Sequence, residues 1–216
     1  IKFFYLYGYI ILELKKFIKS FFSATEQAKN QNVSDGKYMP EKKAPIEERF
    51  TFNFTKNGGK FLYCENKSEC DSFFLQIINE NEWNDSEILC YDDSLLDFFI
   101  EKEKLNISKT NLNSKFFLTK CEFLVASDGS LLICDKQIKS HKVNDFPKNF
   151  IVFAKISQFT ETLSGGLNGI KSKYPSNLPT NITTIKNFNS QVKENTNFLT
   201  YGSAAKNLYL LLLEDL

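Results

Sequence analysis

Two apolar runs, Phe123-Leu-Val-Ala126 and Leu131-Leu-Ile-Cys134, flank the tetrapeptide Ser127-Asp128-Gly129-Ser130 and oblige the chain to double back there. The pattern predicts a β-hairpin, because Asp-Gly suits a two-residue type I′ turn in which both central residues take positive φ. A hairpin this apolar belongs in the core, and its tip is the first candidate for a functional loop. Asp128 offers a carboxylate, Gly129 and Ser130 offer successive N–H groups that can form an anion nest, and Ser130 adds a hydroxyl.

The rest of the domain alternates between strand-like and helix-like stretches. Phe50 to Thr55 alternates apolar and polar residues as a strand does, and Asn57-Gly58-Gly59 then leads into Lys60-Phe-Leu-Tyr-Cys64 as a second hairpin or strand–turn–strand. Ser68 and Asp71 open a helix whose buried stripe is Cys70, Phe73, Phe74, Ile77 and Ile78. Ile88 to Tyr91 reads as a short strand. Asp92-Asp93-Ser94 caps a helix carrying Leu95, Leu96, Phe98 and Phe99 to about Lys104, and residues 106–113 read as a polar connection. Phe116 to Thr119, Phe150 to Lys155, Ile182 to Ile185 and Leu208 to Leu213 are further strands, the last a continuous apolar run of the kind buried on both faces. Phe159, Leu163, Leu167, Ile170 and Tyr174 recur at helical spacing. Strands separated by helices predict an α/β fold of three layers: a mostly parallel sheet with helices on both faces, plus the antiparallel hairpin.

Composition narrows the functions open to such a chain. Among 216 residues with a formal net charge of +1, Arg49 is the sole arginine. Bidentate guanidinium clamps are nearly absent, which argues against sequence-specific nucleic-acid binding. Five cysteines, Cys64, Cys70, Cys90, Cys121 and Cys134, include no C-x-x-C pair and sit mostly in apolar runs. They read as buried free thiols in a reducing compartment, so a cytoplasmic location is expected. His141 is the only histidine and reads as a surface-loop residue. Neither a metal nor a cofactor is expected.

Residues 1–23 form an apolar then amphipathic segment, too short to span a bilayer as a helix. Their first dozen residues read as an extended or fragmentary start, the chain's only Met being Met39. A membrane-surface helix or a helix packed on the domain or a partner are the other readings. Residues 24–49 read as a polar, disordered linker and residues 50–216 as the folded domain.

Other motifs have plain structural readings. Gly165-Gly166-x-x-Gly169 matches neither the G-x-G-x-x-G nor the Walker spacing, and reads as a flexible or closely packed helix. Asp92-Asp93 reads as a cap and not a metal site. The loops Pro179-Thr180-Asn181 and Tyr201-Gly202-Ser203 each precede a strand and are expected to converge on the hairpin tip. The candidate substrate-binding residues are therefore Asp128, Gly129, Ser130, Thr180, Asn181, Gly202 and Ser203, with no catalytic residue identified.

Four segments in order, beginning at Glu122-Phe-Leu-Val-Ala-Ser-Asp-Gly-Ser-Leu-Leu-Ile, Phe146-Pro-Lys-Asn-Phe-Ile-Val-Phe-Ala, Leu178-Pro-Thr-Asn-Ile-Thr-Thr-Ile and Lys206-Asn-Leu-Tyr-Leu-Leu-Leu-Leu-Glu-Asp, resemble the LUD domain, the lactate-utilisation family of the LutC and YkgG type. The resemblance implies a fold similar to sugar-phosphate isomerases and CoA transferases. It implies, too, an accessory role in oxidising lactate or a related organic acid beside iron–sulfur partner proteins. Departures from the family's motifs imply a divergent branch. The family's acidic residue-Thr-Gly-Thr/Ser becomes Ser127-Asp128-Gly129-Ser130. Its Pro-Ser-Arg-Thr-Ala-Asp becomes Pro179 to Thr184, without the Arg or the Asp, and its His-Gly-Pro becomes Ser203-Ala204-Ala205. The alternatives are a small enzyme acting on a phosphorylated or acyl-CoA substrate, or a non-catalytic partner-binding scaffold.

Overall fold

A computed structural model describes residues 44–99, 105–188 and 206–215. The expectations for residues 1–23, for most of the linker, for the helix beyond Phe99 and for Gly202 and Ser203 lie outside these residues. The first described element, α1 (Ile46–Lys56), is a helix where the alternation of Phe50 to Thr55 predicts a strand. Phe50 and Phe54 are a helical i,i+4 pair as well as a strand i,i+4 pair, so both periodicities fit them. Burial decides: Phe50 and Phe54 are fully buried while Phe52 between them is 66% exposed. Glu47 and Glu48 in the first turn favour the helix by complementing its dipole. The helix starts four residues before Phe50, inside the stretch read as linker.

The Asn57-Gly58-Gly59 turn ends this helix; it does not connect two strands. Gly59 N–H donates to Phe54 O at 3.0 Å, and Gly58 N–H to Thr55 O at 2.9 Å. Together these form a Schellman cap, which needs the positive φ of 90° that Gly58 adopts. The chain then enters β1 (Lys60–Cys64). Asn66 accepts Glu69 N–H to cap α2 (Lys67–Glu80), whose buried residues are the predicted stripe Cys70, Phe73, Phe74, Ile77 and Ile78. There follow β2 (Glu87–Leu89), α3 (Asp93–Phe98), and β3 (Asn106–Ser108), a short strand in the stretch read as a connection. After β4 (Phe116–Lys120) come β5 (Phe123–Val125), β6 (Ser130–Ile133), α4 (Asp135–Ile138) and β7 (Asn149–Lys155). The chain closes through β8 (Phe159–Thr160), α5 (Leu163–Lys173), β9 (Thr183–Ile185) and β10 (Asn207–Leu213).

Six strands in the order β1-β10-β7-β4-β2-β3 form a sheet in which every pair is parallel. Alternate residues of its strands feed two cores. Phe61, Phe150, Leu208 and Leu210 pack on one face with Phe50 and Phe54. Leu62, Ile151, Tyr209 and Leu211 pack on the other with the α2 stripe and Leu95 of α3. The α/β fold with a mostly parallel sheet is as expected. The hairpin, however, lies in a second sheet, ordered β8-β5-β6-β9. Leu124, Leu131 and Ile133 face the parallel sheet, while Val125 and Leu132 face Ile170 of α5. Through the hairpin the layers are thus helix, parallel sheet, mixed sheet, helix. A Cβ at Gly169 would stand 2.3 Å from the Phe123 ring, so this helix is the closely packed one of the two readings.

The hairpin turn differs from the type I′ expectation. Val125 pairs with Ser130, leaving a four-residue loop, and Gly129 N–H donates to Val125 O at 2.9 Å. Of the two residues expected at positive φ, Gly129 alone has it, at 70°. Asp128 instead turns its carboxylate onto Ser130, accepting the N–H at 3.1 Å and the hydroxyl at 2.7 Å.

Candidate ligand cleft at the strand ends

Neighbouring β2 and β4 send the chain in opposite directions, β2 outward to β3 and β4 inward toward β7. In open α/β sheets, such a reversal leaves a crevice outside the carboxyl ends of the strands, because the connections diverge there. A cleft of about 670 Å³ occupies this place. Its floor includes Phe153 from β7, Leu213 from β10 and Phe98 from α3. Phe98 and Phe153 pack ring to ring, 4.7 Å between centroids.

One wall is built on Asp92, which accepts Leu95 N–H at 3.2 Å and so caps α3 as the sequence predicts. Lys120, at the end of β4, reaches Asp92 at 2.9 Å and the Ser94 hydroxyl at 2.7 Å. Burial raises the Asp92 carboxyl, but hydrogen bonds from Ser94 and Lys120 and the lysine's charge outweigh it and lower the pKa below its ordinary value.

Another part of the lining is built on Glu122, which with Cys121 links β4 to β5. Its side chain is only 2% exposed. Leu132 O accepts its N–H, and its own carbonyl accepts from Gln158, so the backbone is held from both sides. The carboxylate accepts from Lys173 at 2.7 Å, from Gln137 at 2.8 Å and from the Tyr174 hydroxyl at 3.2 Å. Burial pushes the pKa of Glu122 up, yet these donors together with the Lys173 charge hold it below its ordinary value. Lys173 responds in kind: burial lowers its pKa, and the bond to Glu122 more than restores it, giving a net rise. Burial raises the Tyr174 hydroxyl and lifts the Cys134 thiol to about 11, so both stay neutral near neutral pH. This part of the lining therefore presents an ionised, saturated carboxylate and a charged lysine.

Five of the seven residues proposed from sequence lie elsewhere, and Gly202 and Ser203 are outside the described residues. Asp128, Gly129 and Ser130 pack against α1. Asn57 donates to Asp128 O at 2.7 Å, Asn53 to Ala126 O at 2.9 Å, and Ser130 is 1% exposed. Thr180 donates through its N–H and hydroxyl to Asp135 at 3.0 and 2.7 Å, and Asn181 donates to the carbonyls of Lys139 and His141. These bonds brace α4, the short helix that carries Lys136 and Gln137 into the cleft. Asp128 precedes β6 and Thr180 meets the residues that follow it, so they lie at opposite ends of one strand and do not converge. The sole arginine is not in the cleft, since its guanidinium holds Glu161 at 2.6 Å and ties α1 to the segment after β8.

All five cysteines are buried and free. Among the described residues no group of three His, Cys, Asp or Glu gathers as a metal site, and no helix is long and apolar enough to cross a membrane.

The cleft residues come from five separate stretches, at 91–98, 119–122, 136–137, 153–158 and 173–174, with Leu213 beyond them. No local motif marks such a set. The available signal was topological: polar residues directly after predicted parallel strands, such as Asp92 after Ile88–Tyr91 and Lys120 and Glu122 after Phe116–Thr119.

A search of curated proteins finds no match. Among solved structures, the fold is similar to the crystal structure of a DUF162 family protein from Deinococcus radiodurans. The TM-score is 0.56 at 11% identity, covering 79% of this chain and 96% of that one. A model of the LUD domain matches residues 47–213, from the second residue of α1 to the last of β10. The chain therefore belongs to the LUD domain family, which is associated with lactate utilisation.

Proposed function

We propose that this protein is an accessory component of the oxidation of lactate or a related organic acid, acting beside iron–sulfur partner proteins, and that the cleft binds an organic anion. The observation that carries the ligand reading is the lining itself. Lys120, Lys136, Lys155 and Lys173 surround a cleft whose carboxylates, Asp92 and Glu122, are already engaged by lysines. A lysine-rich crevice at the carboxyl ends of parallel strands favours an anionic metabolite. The family membership supports the metabolic setting, since electrons leaving a hydroxy acid need a carrier and this chain's scattered cysteines match no cluster-binding spacing.

Deletion of the chain in its native host is expected to impair growth on lactate as sole carbon source, with growth on glucose unchanged. A deletion strain that grows normally on lactate refutes the metabolic role. Affinity capture of the full chain is expected to bring down iron–sulfur proteins, identified by their iron content and visible absorption.

A further inference from the structure

The volume and charge of the cleft together restrict its ligand more tightly than the metabolic setting does. A cavity of about 150 Å³ encloses benzene, and lactate has the same number of heavy atoms. The cleft, at about 670 Å³, has roughly four times that volume. A three-carbon acid would leave most of it to water.

The charges on the lining are unevenly neutralised. Four lysines face two carboxylates, an excess of two positive charges. Lys120 is paired with Asp92 and Lys173 with Glu122, at 2.9 and 2.7 Å. Lys155 has only a loose contact with Asp215, 3.8 Å away, whose carboxylate already takes the N–H and hydroxyl of Ser157 at 3.0 and 2.7 Å. Lys136 is solvent-exposed and lies 5.7 Å over the Tyr174 ring; it forms no ion pair among the described residues, although its charge helps lower the pKa of the neighbouring Asp135. The two under-neutralised cations thus enter from different elements, Lys136 from α4 and Lys155 from the end of β7. Cys121, Cys134, Tyr91 and Tyr174 add no negative charge near neutral pH, since burial raises all four.

We infer that the cleft is built for an organic dianion larger than lactate, its charges taken by Lys136 and Lys155 and its apolar body laid on Phe98, Phe153 and Leu213. This rests on reading the cleft as the ligand site and deepens that reading. It is separable from the metabolic role: normal growth of a deletion strain on lactate would remove the role and leave the ligand class standing.

The test is calorimetric titration of the full chain with lactate and pyruvate as monoanions, adenosine monophosphate as a phosphate dianion and phenylsuccinate as a dicarboxylate. At least one dianion is expected to bind about tenfold or more tightly than either monoanion. Which one binds separates a phosphate source from a dicarboxylate source. Lys136→Met and Lys155→Met keep the aliphatic stems, and each is expected to weaken that binding about tenfold with the thermal midpoint unchanged. The inference is overturned if lactate or pyruvate binds as tightly as both dianions, if neither dianion binds at millimolar concentration, or if both lysine variants bind like the parent. Should one variant unfold, the other lysine variant and Lys136→Gln decide the last point.

Discussion

The hairpin tip and the strand-end cleft are two polar regions set against the apolar interior of this domain, and they are organised in opposite ways. At the tip, polar groups are consumed by the protein itself: Asp128 holds Ser130, Asn57 holds Asp128 O, and Asn53 holds Ala126 O. In the cleft, the two carboxylates are saturated, while Lys136 and Lys155 keep charge that no short carboxylate contact cancels. A saturated polar cluster gives local rigidity and leaves little affinity for a ligand. Lys136 and Lys155 are solvent-exposed, so their charge is available to an incoming anion. The contrast supports reading the tip as architecture and is the basis for proposing the cleft as the ligand site.

The most severe test of that division is Gly129→Ala. The new Cβ would fall 2.3 Å from the Phe54 backbone nitrogen, at a φ of 70°. The expected cost is about 3 kcal/mol or more in urea unfolding. A loss below about 1 kcal/mol would mean that the tip is not clamped on α1.

Glu122→Gln comes next, with an expected cost of about 1–2 kcal/mol at neutral pH, since a charged acceptor of four donors (Lys173, Gln137, Tyr174 and the Cys134 thiol) becomes neutral. Its pH signature is more specific than its size. The folded-state pKa of Glu122 is depressed, so its contribution is present above the ordinary value of 4.5 and is lost as pH falls through the lower folded value. Stability measured from pH 7 downward should therefore fall more steeply below about pH 4.5 in the parent than in the variant. Parallel acid limbs would remove Glu122 from the electrostatics of the cleft.

Asp128→Ala should cost about 1 kcal/mol, because the buried Ser130 hydroxyl loses its acceptor, and should leave ligand affinity unchanged. An affinity change of about tenfold would return the tip to the binding site. The smallest effect on stability is expected for Lys136→Met, within about 0.5 kcal/mol in the same unfolding assay, since the lysine makes no ion pair among the described residues. A larger loss would show that its charge is structural.

Much of the fold could be read from residue pattern. The α2 stripe, the Asp92 cap and the strands around Phe116, Phe150 and Leu208 each depend on a local rule that tertiary contacts reinforce. Phe50 to Thr55 went the other way because its aromatic spacing satisfies two periods at once. The choice rested on Phe54 and Phe50 finding the parallel sheet beneath them and on Asn53 finding Ala126 O. The hairpin was legible, its turn less so: Asp128 bonds forward to Ser130 and the strands pair from Val125, lengthening the loop to four residues. The candidate site was the least legible part. Proximity in sequence directed attention to Asp128, Gly129 and Ser130, whereas the cleft unites Asp92, Lys120, Glu122, Lys136, Lys155 and Lys173 across more than a third of the chain.

By itself the sequence determined the secondary elements with unambiguous period, the parallel character of the main sheet, the buried free state of the cysteines and the family. These follow from hydrophobic spacing and local hydrogen bonding, which act over a few residues. Only the tertiary structure decided that the hairpin would leave the parallel sheet and form a second one, and that Glu122 would be caged by Lys173, Gln137 and Tyr174. It alone decided, too, that Lys136 and Lys155 would line the cleft with no carboxylate contact shorter than 3.8 Å. Those outcomes depend on which strand ends meet and how deeply charges are buried, and both are set by the packing of distant segments.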